Sequence, residues 1–476
     1  MTARPGTRDG FDRKLLAPLV SGAVLNPVNS TIIAVALVPI GVAFGAPASA
    51  TAWLISALYL ATAVGQPVAG RLIDRYGPRP VFLPATALVG AAGVLGTLAP
   101  NLGWLIAARV VLGFGTCAGY PAAMRLIRDE SDRTGRDSPA SVLTVLAIST
   151  QTISVIGPAL GGLLIGVGGW RATFALNIPI ALAAFVLGAL RFPKTPKPAS
   201  EGKFDLDLPG MALFAGSLVA LLLFLMHPGA GDWYLAVVAV AGAAGFAVRE
   251  LTCAHPFIDL RLLGRNGPLL RTYGRSLLAY VVAYSFLYGY TQWLEHGRGL
   301  SAAEAGLATL PLFATGILVS LVSGRREQVR GKLVVAALGQ LAGCALLLTL
   351  DSSAAVWLLV VVALVAGIPQ GLNSLALQNS VYRQANPADI GASAGLLRTS
   401  GYLGAIVSSA LQGAFYGPAA ETGGLHDLAL LLLGIGAVFL AVTVFDRSLA
   451  KSTAPIAASA DLRATTSGCA SAEHRP

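Results

Sequence analysis

Long apolar runs separated by short charged turns dominate the chain. About fourteen of them, each of roughly 20 residues, are long enough to cross a bilayer core as helix. They fall near 15–44, 51–70, 81–99, 102–124, 140–167, 171–190, 208–226, 233–249, 272–294, 303–322, 333–350, 354–380, 390–416 and 427–445. Helix is expected in every run, because an open strand edge in lipid leaves backbone groups without partners. The predicted fold class is an all-α polytopic membrane protein.

The turns divide the basic residues unevenly. Taken alternately, one face receives Arg4, Arg8, Arg13 and Lys14, then Arg71, Arg75 and Arg79, then Arg125, Arg128, Arg133 and Arg136. Arg191, Lys194, Lys197 and Lys203 follow, and each later turn on that face adds more, ending with Arg447 and Lys451. The other face takes only Arg171 and Arg298. Cytoplasmic turns carry the Lys and Arg excess, so both termini are expected in the cytoplasm. One helix too many or too few would exchange the faces of every later turn, so the asymmetry also supports the count.

The pattern echoes itself. Gly70–Pro80 follows the second run, and Ser323–Lys332 follows the second run after residue 270 as a decayed copy. The simplest parse is an N-terminal six-helix bundle (1–191), a linker with two extra helices (192–269), a C-terminal six-helix bundle (270–450) and a disordered cytoplasmic tail (451–476). The breaks are the Pro/Lys stretch 192–207 and the polar stretch 251–270, and the tail is rich in Ala, Ser and Thr.

Composition removes the main rivals. Apolar residues make up 55% and charged residues 12%, against about 25% charged in soluble domains, too few to coat a water-soluble protein. The net charge of +10 sits in short turns as topology requires, which argues against nucleic-acid binding. Cys117, Cys253, Cys344 and Cys469 lack metal or disulfide spacing. His227, His255, His296 and His426 are scattered, and no nucleophile stands beside a base. An enzyme, a metal site and a cofactor are therefore not expected. The first run reads as a signal anchor, and the abundance of Ala, Gly and Arg suggests a bacterial source.

Several motifs carry chemistry. Gly70-Arg71-Leu72-Ile73-Asp74-Arg75-Tyr76-Gly77-Pro78-Arg79-Pro80 is a tight charged turn between two spans, and its Asp74 adds nothing to positive-inside sorting. Leu105–Gly115 places Arg109 inside a span, where an unpaired charge is costly and functional by default. Gly157-Pro158-Ala159-Leu160-Gly161-Gly162 offers a small face for close helix packing and a bend. These stretches, with Trp170–Pro179 and Ala303–Pro311, resemble the signatures of the major facilitator superfamily, and within it the fourteen-helix drug:proton antiporter family. The resemblance covers most of the chain in order. It implies two six-helix bundles rocking around a midplane cavity, with export of amphipathic organic compounds such as antibiotics, dyes or cationic biocides. It implies protons as the coupling ion, residence in the cell membrane, and a monomer.

The resemblance also assigns candidate roles. Gly70, Asp74, Arg75, Gly77 and Arg79 correspond to a latch that holds the halves together on the cytoplasmic side. Arg109 corresponds to a residue linked to proton transfer. Gly157, Pro158, Gly161 and Gly162 correspond to the antiporter motif of the fifth helix. The chain departs from the family at Asn29, where the first helix usually carries an acid, and Asn29 cannot carry a proton. Glu295 is a remaining acidic candidate for coupling. Cavity candidates are Asn26 and Asn29 in the first run, Gln66 and Gln151, the four-residue stripe Tyr280, Tyr284, Tyr288 and Gln292, and the polar face with Gln370 and Asn373. The lining shows no clear charge pair, which argues against a strongly anionic substrate. A dedicated exporter or importer of one metabolite on the same fold is the alternative.

Overall fold

The computed structural model describes residues 12–46, 48–51, 53–134, 140–193, 207–226, 231–253, 256–258, 260–300, 302–324, 328–416 and 421–451. Arg4 and Arg8, residues 194–206 of the first predicted break, Arg325 and Arg326 of the second-half turn, and the tail past Lys451 lie outside these.

Among the described residues the structure is helical and without strands. The helices are α1 (Leu16–Phe44), α2 (Ala48–Thr51), α3 (Trp53–Tyr76), α4 (Pro78–Thr97), α5 (Leu102–Thr116), α6 (Gly119–Thr134), α7 (Ala140–Ala175), α8 (Asn177–Arg191), α9 (Leu208–Met226) and α10 (Trp233–Thr252). The chain continues through α11 (Leu260–Arg265), α12 (Gly267–Tyr284), α13 (Thr291–His296), α14 (Ala302–Gly324), α15 (Val329–Leu347), α16 (Val356–Gln384), α17 (Ile390–Tyr416), α18 (Thr422–Val444) and α19 (Ser448–Lys451). Nine described helices are long and apolar enough to cross a membrane, or ten if the bent α7 counts as one span.

Local chemistry explains where helices start and stop. Asn101 caps α5 by accepting the Trp104 N–H at 2.9 Å, and Asn266 does the same for Leu269 at 3.2 Å ahead of α12. Gly77 takes φ +85°, and Pro78 opens α4 directly after it. The predicted division at 168–170 appears as non-helical Gly168 and Gly169 within α7. A second bend of 54° separates Val142–Gly157 from Leu160–Ala175, at a proline that has no N–H to donate.

Two departures from the sequence reading matter. The run 102–124 is broken near Cys117 and goes on as α6 to Thr134. The predicted helix 272–294 starts earlier, at Gly267, and contains a π-helical turn at Ser285–Tyr290. Such wide turns are frequent at functional sites.

Packing brings α1 onto α7, α4 onto α5 and α8, α14 and α15 onto α16, and α15 onto α18. α9 pairs with α10, and α9 also touches α3 and α17, where Leu218 joins Ala63 and Tyr402 in one apolar cluster. The α1–α7 seam depends on missing side chains. A Cβ at Gly157 would collide with Thr31, and one at Gly161 would stand 2.6 Å from Val35, whereas Gly162 faces open space. Gly157→Val is therefore expected to destabilise the protein by about 1–3 kcal/mol through overpacking, with Gly162→Ala neutral. Thermal unfolding of the two variants in detergent is the check, and equal midpoints would refute the seam.

Candidate functional site

Three polar constellations lie between or within the packed helices. The first is where α3 meets α17 near the arginine-rich face. Asp74, in the last turn of α3, accepts the Gly391 N–H at 2.8 Å and the Ala392 N–H at 2.7 Å. These are unpaired donors in the first turn of α17, at the positive end of its dipole. Arg125 of α6 stands 3.7 Å from the same carboxylate. One turn back, a Cβ on Gly70 would strike the Gly391 carbonyl, so glycine lets the two backbones touch. Gln151 of α7 donates to Ser320 of α14 at 3.0 Å, and Thr399 of α17 donates to the Ala63 carbonyl at 2.9 Å. Of the residues named from the turn motif, Gly70 and Asp74 make this contact and Gly77 shapes the turn. Arg75 lies over the Tyr76 ring at 5.7 Å, and Arg79 sits half-buried at the start of α4. The sequence reading counts Arg125 only as one of the basic residues of a turn.

The second constellation surrounds Arg109, which is 2% exposed. Its Nε donates to the Leu54 carbonyl of α3 at 2.8 Å, and its Nη1 to the Asn29 carbonyl of α1 at 3.1 Å. Its Nη2 is buried without a partner. Asn29 gives its side-chain amide to the Leu25 carbonyl at 2.8 Å and to Asn177 of α8 at 2.7 Å. Arg109 and Asn29 line a small cleft with Ile32, Ile33, Thr173 and Phe174. The guanidinium thus ties three helices together through two carbonyls and keeps one free donor in the cleft.

The third constellation is aromatic and draws on both ends of the chain. Tyr280 and Tyr284 have ring centroids 5.9 Å apart, and Tyr284 stacks on Tyr288 at 5.7 Å with 12° between planes. Tyr288 lies in the π-helical turn, is 36% exposed, and shares a hydrogen bond of 3.1 Å with Tyr59 of α3. Tyr59 lies 5.6 Å from the ring of Tyr402 on α17. The Tyr402 hydroxyl donates to Asn26 of α1 at 2.9 Å, and Asn26 donates on to Thr116 at 3.2 Å. Arg398, one turn before Tyr402, places its guanidinium carbon 4.0 Å from the ring centre of Tyr120 on α6.

The predicted cavity residues therefore separate. Asn26, Tyr280, Tyr284 and Tyr288 belong to one connected aromatic site, and Asn29 belongs with Arg109. Gln66 and Asn373 are buried, each with a carbonyl oxygen that has no partner, and Gln370 lies half-buried on α16. Gln151 serves the α7–α14 contact. Gln292 is exposed on α13, and Glu295 is half-buried beside it. Sequence reasoning missed Tyr59, Tyr120, Tyr402 and Arg398. The last was readable: Arg398 is a charge inside the run 390–416, the same signal that singled out Arg109.

Comparison with known proteins fits this geometry. A family model described as Major Facilitator Superfamily matches residues 19–409. The chain is 32% identical over 447 residues to the uncharacterized MFS-type transporter YwoD of Bacillus subtilis, covering 92% of this chain and 97% of that one. It is 30% identical over 446 residues to the lincomycin resistance protein of Streptomyces lincolnensis, covering 90% of each. Further relatives are named for multidrug resistance or antibiotic export. The crystal structure of the human organic anion transporter MFSD10 superposes with a TM-score of 0.66 at 15% identity, covering 92% of this chain and all of that one, a likeness of fold.

Proposed function

The chain belongs to the major facilitator superfamily, and from that premise we propose that it exports amphipathic organic compounds by proton-coupled alternating access. It is a multi-pass membrane transporter and not an enzyme, with antibiotic resistance and export proteins among its relatives at about 30% identity. The finer reading is an inner arrangement of fourteen spans grouped six, two and six, acting as a monomer in a bacterial plasma membrane. Both termini and the arginine-rich face are cytoplasmic. Gly70 and Asp74 act as the latch on that face, Arg109 takes part in coupling, and the tyrosine site holds the substrate.

One observation carries the reading. Asp74 grips the first turn of α17, while Tyr59 of α3 meets Tyr288 of the π-helical turn and Tyr120 of α6 meets Arg398 of α17. A polar aromatic space with a closable floor is what rocking bundles around a central site require. Asn29, bonded to Asn177, offers no acid in the first helix, which favours as a second reading a dedicated carrier with other coupling.

Efflux from cells expressing the protein tests both. A panel of fluorescent amphipathic compounds of differing charge is loaded, and export is followed with and without a protonophore. Gradient-dependent export is expected, with Arg109→Ala reducing it at least tenfold at equal membrane expression. Export that persists after the gradient collapses would remove proton coupling. Absence of export for every compound would remove the broad-exporter reading.

A further inference from the structure

Arg398 is half-buried within α17, and its surroundings differ from those of Arg109 and Arg275. Arg109 donates to two carbonyls, and Arg275 is paired with Asp446 at 2.8 Å. Among the described residues Arg398 has no hydrogen bond or ion pair, and its guanidinium lies over the face of Tyr120. It stands more than two turns into α17, whereas the described carboxylates lie in turns or in the first or last two turns of helices. Nothing described near it can neutralise it. A cation held inside a membrane protein without a counterion is strongly penalised, and a π face compensates only part of that.

Tyrosines surround it. Tyr280, Tyr284 and Tyr402 interact with it electrostatically, the Tyr402 hydroxyl being turned to Asn26, and the hydroxyl of Tyr120 is buried without a partner. The guanidinium offers planar paired N–H groups matched to a carboxylate, and phenols can add O–H donors at its rim. The stacked Tyr284 and Tyr288 rings continue away from it and supply a flat apolar wall. A cationic guest on that wall would share the space with an unneutralised guanidinium.

We propose that Arg398, set among tyrosines from both ends of the chain, is the recognition point for an anionic group, so that the exported compounds are amphipathic organic anions. The inference rests on the export reading above and narrows it. Tyr120 and Arg398 lie on helices that the alternating-access reading assigns to opposite bundles, so a bound anion bridges the elements that must move. The assignment reverses the expectation drawn from the lining alone, where no charge was recognised.

The test uses three probes on one aromatic body: 1-naphthylacetate, its primary amide, and 1-naphthylethylamine. Binding to the purified full-length protein in detergent is read by tyrosine and tryptophan quenching, and transport by export from the same cells used for the panel. The carboxylate is expected to bind at least tenfold more tightly than the amide or the amine. Arg398→Gln should weaken carboxylate binding tenfold to a hundredfold and leave the amide within twofold, while Arg398→Lys should restore part of the loss. Should Arg398→Gln not fold, the wild-type ranking of the probes and the Lys variant decide the matter. Preference for the amine, equal binding of the three, or no binding of the carboxylate overturns the inference. Panel export restricted to cations and neutral compounds sinks this inference and leaves the export reading standing. Loss of all export with Arg398-dependent carboxylate binding retained sinks the export reading alone.

Discussion

Asp446→Ala is expected to destabilise the protein by about 3–5 kcal/mol, the cost of removing one partner from a buried ion pair. Asp446 follows α18 and is 2% exposed. It accepts from Arg275 Nη1 at 2.8 Å, from the Ser448 N–H at 3.1 Å and hydroxyl at 2.6 Å, and also from Arg271. The pair fastens the start of α12 to the end of α18. Arg275 is wholly buried, keeps among the described residues only Thr272 as another partner, at 3.1 Å, and would be left charged without a counterion. Burial pushes the Asp446 carboxyl up, but the hydrogen bonds from Ser448 and Arg275 outweigh it and hold the group below its ordinary value. A lowered native value means the contribution is complete above about pH 4 and disappears only as pH falls further, through the native value. Wild type and variant should therefore differ by the full amount at pH 7 and converge in acid. Unfolding in mixed micelles measures the difference. The double variant Arg275→Met/Asp446→Leu should recover most of the loss, because an apolar pair of similar volume leaves no buried orphaned charge, Arg271 being exposed to solvent. A loss below 1 kcal/mol in the single variant would mean that water reaches Arg275 and the pair is structurally idle.

What the sequence disclosed and what it concealed follow one division. Apolar runs are local properties, and each predicted run falls on helix. The exceptions are local too: α6 runs on to Thr134 because Met124-Arg125-Leu126-Ile127-Arg128 alternates too sharply for a span criterion yet suits an amphipathic helix, and the π-helical turn at Ser285–Tyr290 leaves no compositional trace. The tyrosine stripe was legible because steps of four residues share a helix face. Its partners Tyr59, Tyr120 and Tyr402 come from three other helices, and a stripe says nothing about which helices face it. Asp74 stood out as an acid in a basic turn. That it binds backbone N–H groups more than 300 residues away has no signature in either segment. Arg398 meets the rule that singles out Arg109, a charge inside an apolar run, but it lies in no turn and so leaves no mark on the charge asymmetry between the faces.

Asp74 carries the largest expected effect on function. Its two backbone hydrogen bonds are charge-assisted, each worth roughly 1.5–3 kcal/mol, and both exist only while α3 and α17 are closed on each other. Asp74→Asn keeps the shape, removes the charge that attracts Arg125 and the helix terminus, and leaves one oxygen where two accepted. Losing about 2–4 kcal/mol from one state moves the equilibrium between states roughly 30-fold to 1,000-fold. The reporter is a cysteine pair, Thr144→Cys with Gly324→Cys, across α7 and α14. A Cβ built on Gly324 lies 3.1 Å from the Thr144 Cβ, so the two positions touch and need to part only slightly to reach the roughly 3.8 Å of a disulfide. Oxidation should cross-link the pair readily with Asp74 intact and far more slowly in Asp74→Asn, with transport falling in parallel because the closed floor is no longer favoured. Gly70→Val should act in the same direction by sterics alone, since its side chain meets the Gly391 carbonyl. If both substitutions leave cross-linking and transport unchanged, the carboxylate is a cap for α17 and nothing more. If Gly70→Val opens the pair and Asp74→Asn does not, close backbone approach holds the floor, and the charge serves only to begin a helix.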